Sequence, residues 1–359
     1  SVTSIGNNVF DRCSSLEQIV IPSSVKSLGN NIFNECTALT SIEIPSSITS
    51  IPKGCFQGCI NLTQITIPNS ITSIGNYAFS RCKSLGNITI PSSVKSIGEN
   101  AFLDCSKLSQ ITIPNSISSI EKGVFNKCIT LEKIVIPSSI ISIGDYSFND
   151  CFALTTIDIP SSVKSIGNYA FNECILLTQM AISTSLEKIG DGAFQGCKNL
   201  IQVNIPSSVE SIGNSAFREC QKLEQIKINS LLEIIDDYVF SECSSLVEIE
   251  IPSSVTSIGN YAFNECLKLK KVTMPSSLKS IGMNSFFCCR SLQQIIIPPS
   301  VESIGDYAFC RCSLLSEIEL PPSIKWIGNR SFGNCISLKH ITIPSSIGNE
   351  SFIHCQSLT

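Results

Sequence analysis

Cysteine is the residue whose type and spacing most invite chemistry here. Cys13, Cys36, Cys59, Cys82, Cys105, Cys128, Cys151, Cys174, Cys197, Cys220, Cys243, Cys266, Cys289, Cys312 and Cys335 stand 23 residues apart, and Cys355 follows after 20. Thiols can pair as disulfides, ligate metals as thiolates, or act as nucleophiles. The regularity argues against all three. Side chains stacked in register sit about 4.8 Å apart, wider than the roughly 3.5–4.5 Å between Cβ atoms that a disulfide wants. Each step offers the same ligand type, and no paired histidines accompany it. The series reads as a buried, reduced row of small apolar side chains.

Other reactive residue types are few. The histidines are His340 and His354, and His354 beside Cys355 imitates a nucleophile pair. Cys355 continues the buried row, however, so no catalytic residue is assigned. Glu233, Asp236 and Asp237 form an acidic turn, read as solvated loop charge rather than an acid/base pair. Each glycine is isolated, so no phosphate-cradling loop exists. No metal or cofactor is expected, and the chain is not read as an enzyme.

The elements that must position these residues follow from the period. Ile251 to Thr273, IPSSVTSIGNYAFNECLKLKKVT, is one copy of a unit repeated along the whole chain. A fixed period of this size means a solenoid, in which each coil covers its neighbours and no coil folds alone. The apolar columns are Leu39, Ile42, Ile44, Ile48, Ile51, Phe56 and Cys59 in one coil, and Leu62, Ile65, Ile67, Ile71, Ile74, Phe79 and Cys82 in the next. Leu-x-x-Ile-x-Ile ends with the period of a strand buried on one face. Pro45 and its equivalents end that strand. Val25 to Leu28 and its equivalents suit a second short extended piece. Gly-Asn-x-Ala-Phe-x-x-Cys-x-x-Leu, with apolar spacings of three, predicts one or two turns of helix, partly 3₁₀. Glycine leaves its column at Pro52 and Glu121 and reappears as Gly54 and Gly123, which reads as a positive-φ turn that has moved.

Bulk composition limits the partners. With 25 basic and 29 acidic residues the net charge is -4, and no basic stripe emerges, so nucleic acid is not expected. No apolar run is long enough to span a bilayer. The amino terminus, SVTSIGNN, does not read as a signal peptide. The chain begins and ends in mid-repeat, and residues 1–359 read as a single solenoid domain, a piece of a longer protein or a mature form trimmed at both ends. Uncapped ends of such a stack can pair edge to edge.

Leu-x-x-Ile-x-Ile is similar to the signature of leucine-rich repeats. With its Ile-Pro, Ile-Gly, Ala-Phe and Cys-x-x-Leu marks, Ile251 to Thr273 closely resembles the BspA-like (Treponema-type) leucine-rich repeat, and the resemblance covers the whole chain. It implies an α/β solenoid: a curved array of about sixteen coils with a parallel β-sheet on its concave side. One departure is a serine ladder, Ser24, Ser47, Ser70, Ser93, Ser116 and Ser139, where ordinary leucine-rich repeats carry asparagine. The resemblance further implies a surface protein of mucosal bacteria or parasitic protists, an adhesin ectodomain that binds host matrix or cell-surface proteins. An intracellular, cytoplasmic interaction scaffold of the same architecture is the alternative.

Residues for recognition must lie in variable columns. On the exposed strand face these include Gln202, Gln225, Lys227, Glu248, Glu250, Lys271, Glu317 and Glu319, where charge and variety exceed those of earlier coils. Neutral variation on a solvated sheet is the other reading. All six tyrosines, Tyr238 and Tyr261 among them, share one column two residues before the Phe. They are either recognition side chains or half-buried covers for a neighbouring coil. Trp326 stands in a column of serines, as a partner anchor or an isolated surface residue. Cys288 and Cys310 fall in polar columns of adjacent coils, positioned for a surface disulfide or left as free surface thiols.

Overall fold

A computed structural model describes residues 2–342 and 346–359. It divides into two compact units, Ser1–Ser183 and Thr184–Thr359. Each unit is a stack of coils joined by parallel ladders. In the first, Ser41–Glu43 pairs with Gln64–Thr66, Gln110–Thr112 with Lys133–Val135, and Thr156–Asp158 with Gln179–Ala181. In the second, Gln202–Ile205, Gln225–Ile228, Glu248–Glu250 and Lys271–Thr273 form one four-stranded sheet, and Gln294–Ile296 pairs with Glu317–Glu319. The central residue of a strand such as Glu248–Glu250 is buried and its flanks exposed, the alternation that a period of two imposes.

Proline stops these strands because it has no N–H to give the ladder. Its carbonyl closes the turn instead: Ile48 N donates to Pro45 O at 3.0 Å, and Val94 N to Pro91 O at 3.0 Å. The exception proves the cause. Asn229 stands where proline is expected, its N–H donates to Ile205 O at 2.9 Å, and the two strands before it, Gln202–Ile205 and Gln225–Ile228, run to four residues. The Val-x-x-Ile step is held by two-residue parallel pairs, as in Ser27–Leu28 on Ser4–Ile5 and Ser257–Ile258 on Ile234–Ile235.

The expected helical turns do not form, and no helix occurs among the described residues. The residues two before and two after each Phe of the stacked column have positive φ, as at Asn31 (53°) and Glu35 (54°), or Tyr261 (58°) and Glu265 (57°). A right-handed helix needs negative φ throughout. Turn bonds such as Cys36 N to Phe33 O (3.2 Å) alternate with bonds into the next coil: Asn31 N to Lys53 O, Phe33 N to Cys55 O and Glu35 N to Gln57 O, at 2.9, 2.9 and 2.7 Å. Donors that a helix would satisfy internally are given to the neighbour, which satisfies each of them just as fully.

The glycine column also needs a different explanation. Gly98, Gly213 and Gly282 do not have positive φ; a Cβ at each would lie 2.5 Å from Asn76 N, 2.5 Å from Asp191 N and 2.7 Å from Gly259 C respectively. The preceding coil's main chain leaves no room for a side chain there. Gly54 (61°) and Gly123 (63°) do have positive φ, but they occupy the tyrosine column, which has that conformation whatever its residue.

The core is a set of stacked columns. Phe240, Phe263, Phe286 and Phe309 are fully buried, with successive ring centroids 5.4, 5.1 and 5.2 Å apart. The ladder serines donate to carbonyls one coil back, as in Ser70 Oγ to Ile48 O (2.6 Å) and Ser254 Oγ to Leu232 O (2.7 Å). A second polar ladder follows the glycine. Asp145 Oδ1 accepts from Asn168 N (2.7 Å), Asp237 Oδ1 from Asn260 N (2.6 Å) and Asp306 Oδ1 from Asn329 N (2.7 Å). Asparagine and aspartate therefore cap the turn of the following coil while serine serves the proline turn.

Candidate interaction surface

Both strand faces expose their outward columns, and that of the second unit carries more of the charge. Register places Gln202 beside Gln225, Gln225 beside Glu248, and Glu248 beside Lys271; one column over, Asn204 lies beside Lys227 and Glu250 beside Thr273. All of these are exposed. Lys227, Glu248, Glu250 and Lys271 make no ion pair within 4.0 Å among the described residues, although opposite charges stand in neighbouring strands. Their charges remain available to a partner.

An open cavity of about 640 Å³ lies against these strands, lined by Lys227, Ser230, Leu231, Glu248, Glu250 and Lys271. It owes its shape to the coil that departs from the repeat. Leu231 replaces a ladder serine and is 78% exposed, while the Ser230 hydroxyl is buried without a hydrogen-bond partner. Asn229 Nδ2 donates to Asn204 Oδ1 at 2.7 Å, fixing that rim. Asn229 in place of proline marks this coil in the sequence, and Ser230 and Leu231 follow it. Their signal was the break in the Pro-Ser-Ser pattern. Glu317 and Glu319 lie outside the four-stranded sheet, on the strand paired with Gln294–Ile296, where Ile296 is 82% exposed beside Glu319.

The anchors separate from this face. Trp326 is exposed, but it belongs to the two-residue ladder, paired with Ser303. Tyr238 and Tyr261 are half-buried, stacked at 4.7 Å, with Arg218 over the Tyr238 ring at 5.8 Å. Both sit at positive φ, 60° and 58°, a conformation that favours asparagine or glycine over an aromatic residue. Ring stacking offsets part of that cost.

The cysteine row does internal work. Sγ of Cys59, Cys82, Cys105, Cys220, Cys243 and Cys266 donates to the Phe carbonyl one coil back at 3.1–3.3 Å. Burial pushes these thiols well above their ordinary range, with neighbouring thiols adding to the effect at all of them but Cys243. Cys355 makes the same bond to Phe332 O at 3.1 Å, directed inward and away from the exposed His354. Cys288 and Cys310 are not surface thiols: both are buried, because a cysteine is shorter than the Glu and Asn of those columns. Asp236 stands in the glycine column, and burial first, then Asp237 and Asp191, raise its carboxyl. Among the described residues there is no group of three or more metal-ligating side chains, and no helix is long and apolar enough to cross a membrane.

A family model described as the BspA type leucine rich repeat region matches residues 3–132, 118–247 and 233–359. A leucine-rich repeat protein from Bacteroides ovatus is 32% identical, with 95% of this chain and 82% of that one covered and a TM-score of 0.77. A leucine rich cell surface protein from Faecalibacterium prausnitzii is 28% identical, with 85% and 88% covered and a TM-score of 0.54. A leucine-rich repeat protein from Eubacterium ventriosum is 28% identical, with 82% of each chain covered and a TM-score of 0.58. A search of curated proteins finds no match.

Proposed function

This chain belongs to the BspA-type leucine-rich repeat family, and on that premise we propose that it is a non-enzymatic protein-binding module, the ectodomain of a cell-surface adhesin that holds host matrix or cell-surface proteins. The strand face around Glu248, Glu250 and Lys271 is its partner-facing surface, with Gln202, Gln225, Lys227, Glu317 and Glu319 extending it. The observation that carries this reading is the cavity at Leu231 and its unpaired charges. An exposed apolar side chain amid charges left open suits a protein ligand, whose side chains can cover the one and pair the others. Residues of the repeat core are committed to packing, so variation on this face changes binding without changing fold. Surface placement draws support from the Faecalibacterium relative, described as a cell surface protein.

The test is retention of the purified chain on a panel of immobilised extracellular-matrix proteins. Saturable binding to at least one, competed by soluble chain, is the expected result. No retention on any of them overturns the adhesin reading. One observation favours an intracellular scaffold instead: ladder thiols such as Cys59, Cys82 and Cys105 act as hydrogen-bond donors to main-chain carbonyls, a role that needs the reduced form reducing compartments maintain. Labelling of intact cells with an impermeant reagent separates the two readings, since only a surface protein is labelled.

A further inference from the structure

Two cysteines stand outside the packed row and beside each other. Cys288 N donates to Cys310 O at 2.9 Å across adjacent coils of the second unit. Such a bond holds two Cα atoms about 5 Å apart, inside the range that disulfides span. The surroundings of Cys310 differ from those of the ladder thiols. It lines a cavity of about 360 Å³ together with Tyr307, Arg311, Arg330, Asn334 and His354. Burial first, with Cys288 adding to it, holds its thiol above the ordinary range, and the Arg311 and Arg330 charges and a hydrogen bond with the Asn334 side chain offset part of that rise. Cations and a donor around a thiol favour its thiolate, the form that attacks disulfides. The same cations suit an anionic reagent entering the cavity.

We propose that Cys310 is a redox-reactive thiol that forms an intercoil disulfide with Cys288 by exchange with an anionic low-molecular-weight disulfide such as oxidised glutathione. The Cys310 thiolate attacks one glutathione sulfur, the glutathione S–S bond breaks, and the departing thiolate takes up the proton that Cys310 gave up. The Cys288 thiolate then attacks the Cys310 sulfur, releasing the second glutathione with the proton of Cys288. Two protein thiols are oxidised and one glutathione disulfide is reduced to two thiols. The product ties two coils covalently through their turn segments, away from the strand face. The buried ladder thiols, such as Cys266, Cys289 and Cys312, each donating to a Phe carbonyl in a closed core, stay reduced.

The test uses the full chain, reduced and then incubated with oxidised glutathione, alkylated without unfolding and mapped without reduction. The expected result is one cross-linked peptide pair joining Cys288 to Cys310, absent from the Cys310→Ser variant, with the buried row alkylated only after denaturation. Oxidised wild-type chain should also unfold at higher denaturant than reduced chain, and a Cys288→Ser, Cys310→Ser double variant should unfold equally in both buffers. Both cysteines recovered free, a stable glutathione adduct on Cys310 without the cross-link, or a disulfide within the ladder would each overturn the proposal.

Discussion

The Cys266 thiol donates to the main-chain oxygen of Phe240, one coil earlier, at 3.2 Å. The same relation recurs along both units, at Cys174 with Phe148 in the first and Cys335 with Phe309 in the second. A side chain that composition alone makes small and apolar is here also a donor. It gives a second hydrogen bond to a carbonyl that the turn N–H of Cys243 already meets at 3.2 Å, while filling the space beneath the phenylalanine stack.

Replacing Cys266 by valine therefore keeps volume and apolar character but removes the donor. Phe240 O keeps its bond from Cys243 N at 3.2 Å, so we expect a loss of about 0.5–1.5 kcal/mol, the net worth of one hydrogen bond. Urea denaturation measures it. Wild-type stability in Cys266→Val would mean that the thiol acts by volume alone.

Alkaline pH should unfold the protein. Burial pushes the Cys36 thiol up to about 11, with Cys13 adding to it, and the deeper ladder thiols lie higher still. A thiol whose folded pKa exceeds its unfolded value keeps its full stability below the unfolded pKa and loses it as pH rises towards the folded value. The native state then holds a proton that the unfolded state has released. The window opens near pH 9 and extends past 11, and each thiol contributes a slope of about 1.4 kcal/mol per pH unit. Denaturant midpoints measured from pH 7 to 11 should be flat at first and then fall steeply. A flat profile to pH 11 would contradict the buried, protonated row.

Two glycines of the first unit should respond in opposite ways. A Cβ at Gly98 would meet the preceding coil's main chain at 2.5 Å, whereas one at Gly86 meets nothing closer than 3.8 Å. Gly98→Ala should destabilise by more than about 1 kcal/mol, while Gly86→Ala should be neutral or gain up to about 1 kcal/mol from the unfolded chain's reduced freedom. Thermal melts of the two variants decide it.

Ser285 stands in the alanine column with a buried hydroxyl that has no partner. Ser331 in the same column turns its hydroxyl to Gly328 O at 2.5 Å. Ser285→Ala should therefore stabilise by about 1 kcal/mol, against the usual sign of a core substitution, while Ser331→Ala should not. Denaturant midpoints of both variants provide the comparison.

Period, strand positions, core columns and family were legible in the sequence because each coil repeats the same burial pattern. Ile249 and Val272 alternate with their exposed neighbours as the period requires. The turn segment was not legible. The three-residue spacing of Phe263 and Cys266 is shared by a helical turn and by the positive-φ turn at Tyr261 and Glu265, and only contact with the next coil chooses between them. The glycine column was not legible for the same reason: the requirement at Gly98 comes from Asn76, 22 residues back. At the candidate surface, Glu248, Glu250 and Lys271 could be found as exposed variable positions. Leu231 and Ser230 show only as a broken Pro-Ser-Ser pattern, because their exposure and burial depend on how one irregular coil settles against two regular ones.

The central claim is that the charged strand face of the second unit holds a protein partner. The direct measurement is the Kd for a matrix protein retained by the wild-type chain, repeated with Glu248→Lys, Glu250→Lys and Lys271→Glu combined. A matched control exchanges the Lys83–Asp104 pair, 3.2 Å apart in the first unit. The account predicts at least a tenfold weaker Kd for the triple variant, about 1.4 kcal/mol, with unfolding and the control unchanged. A Kd equal to wild type in the triple variant would contradict it.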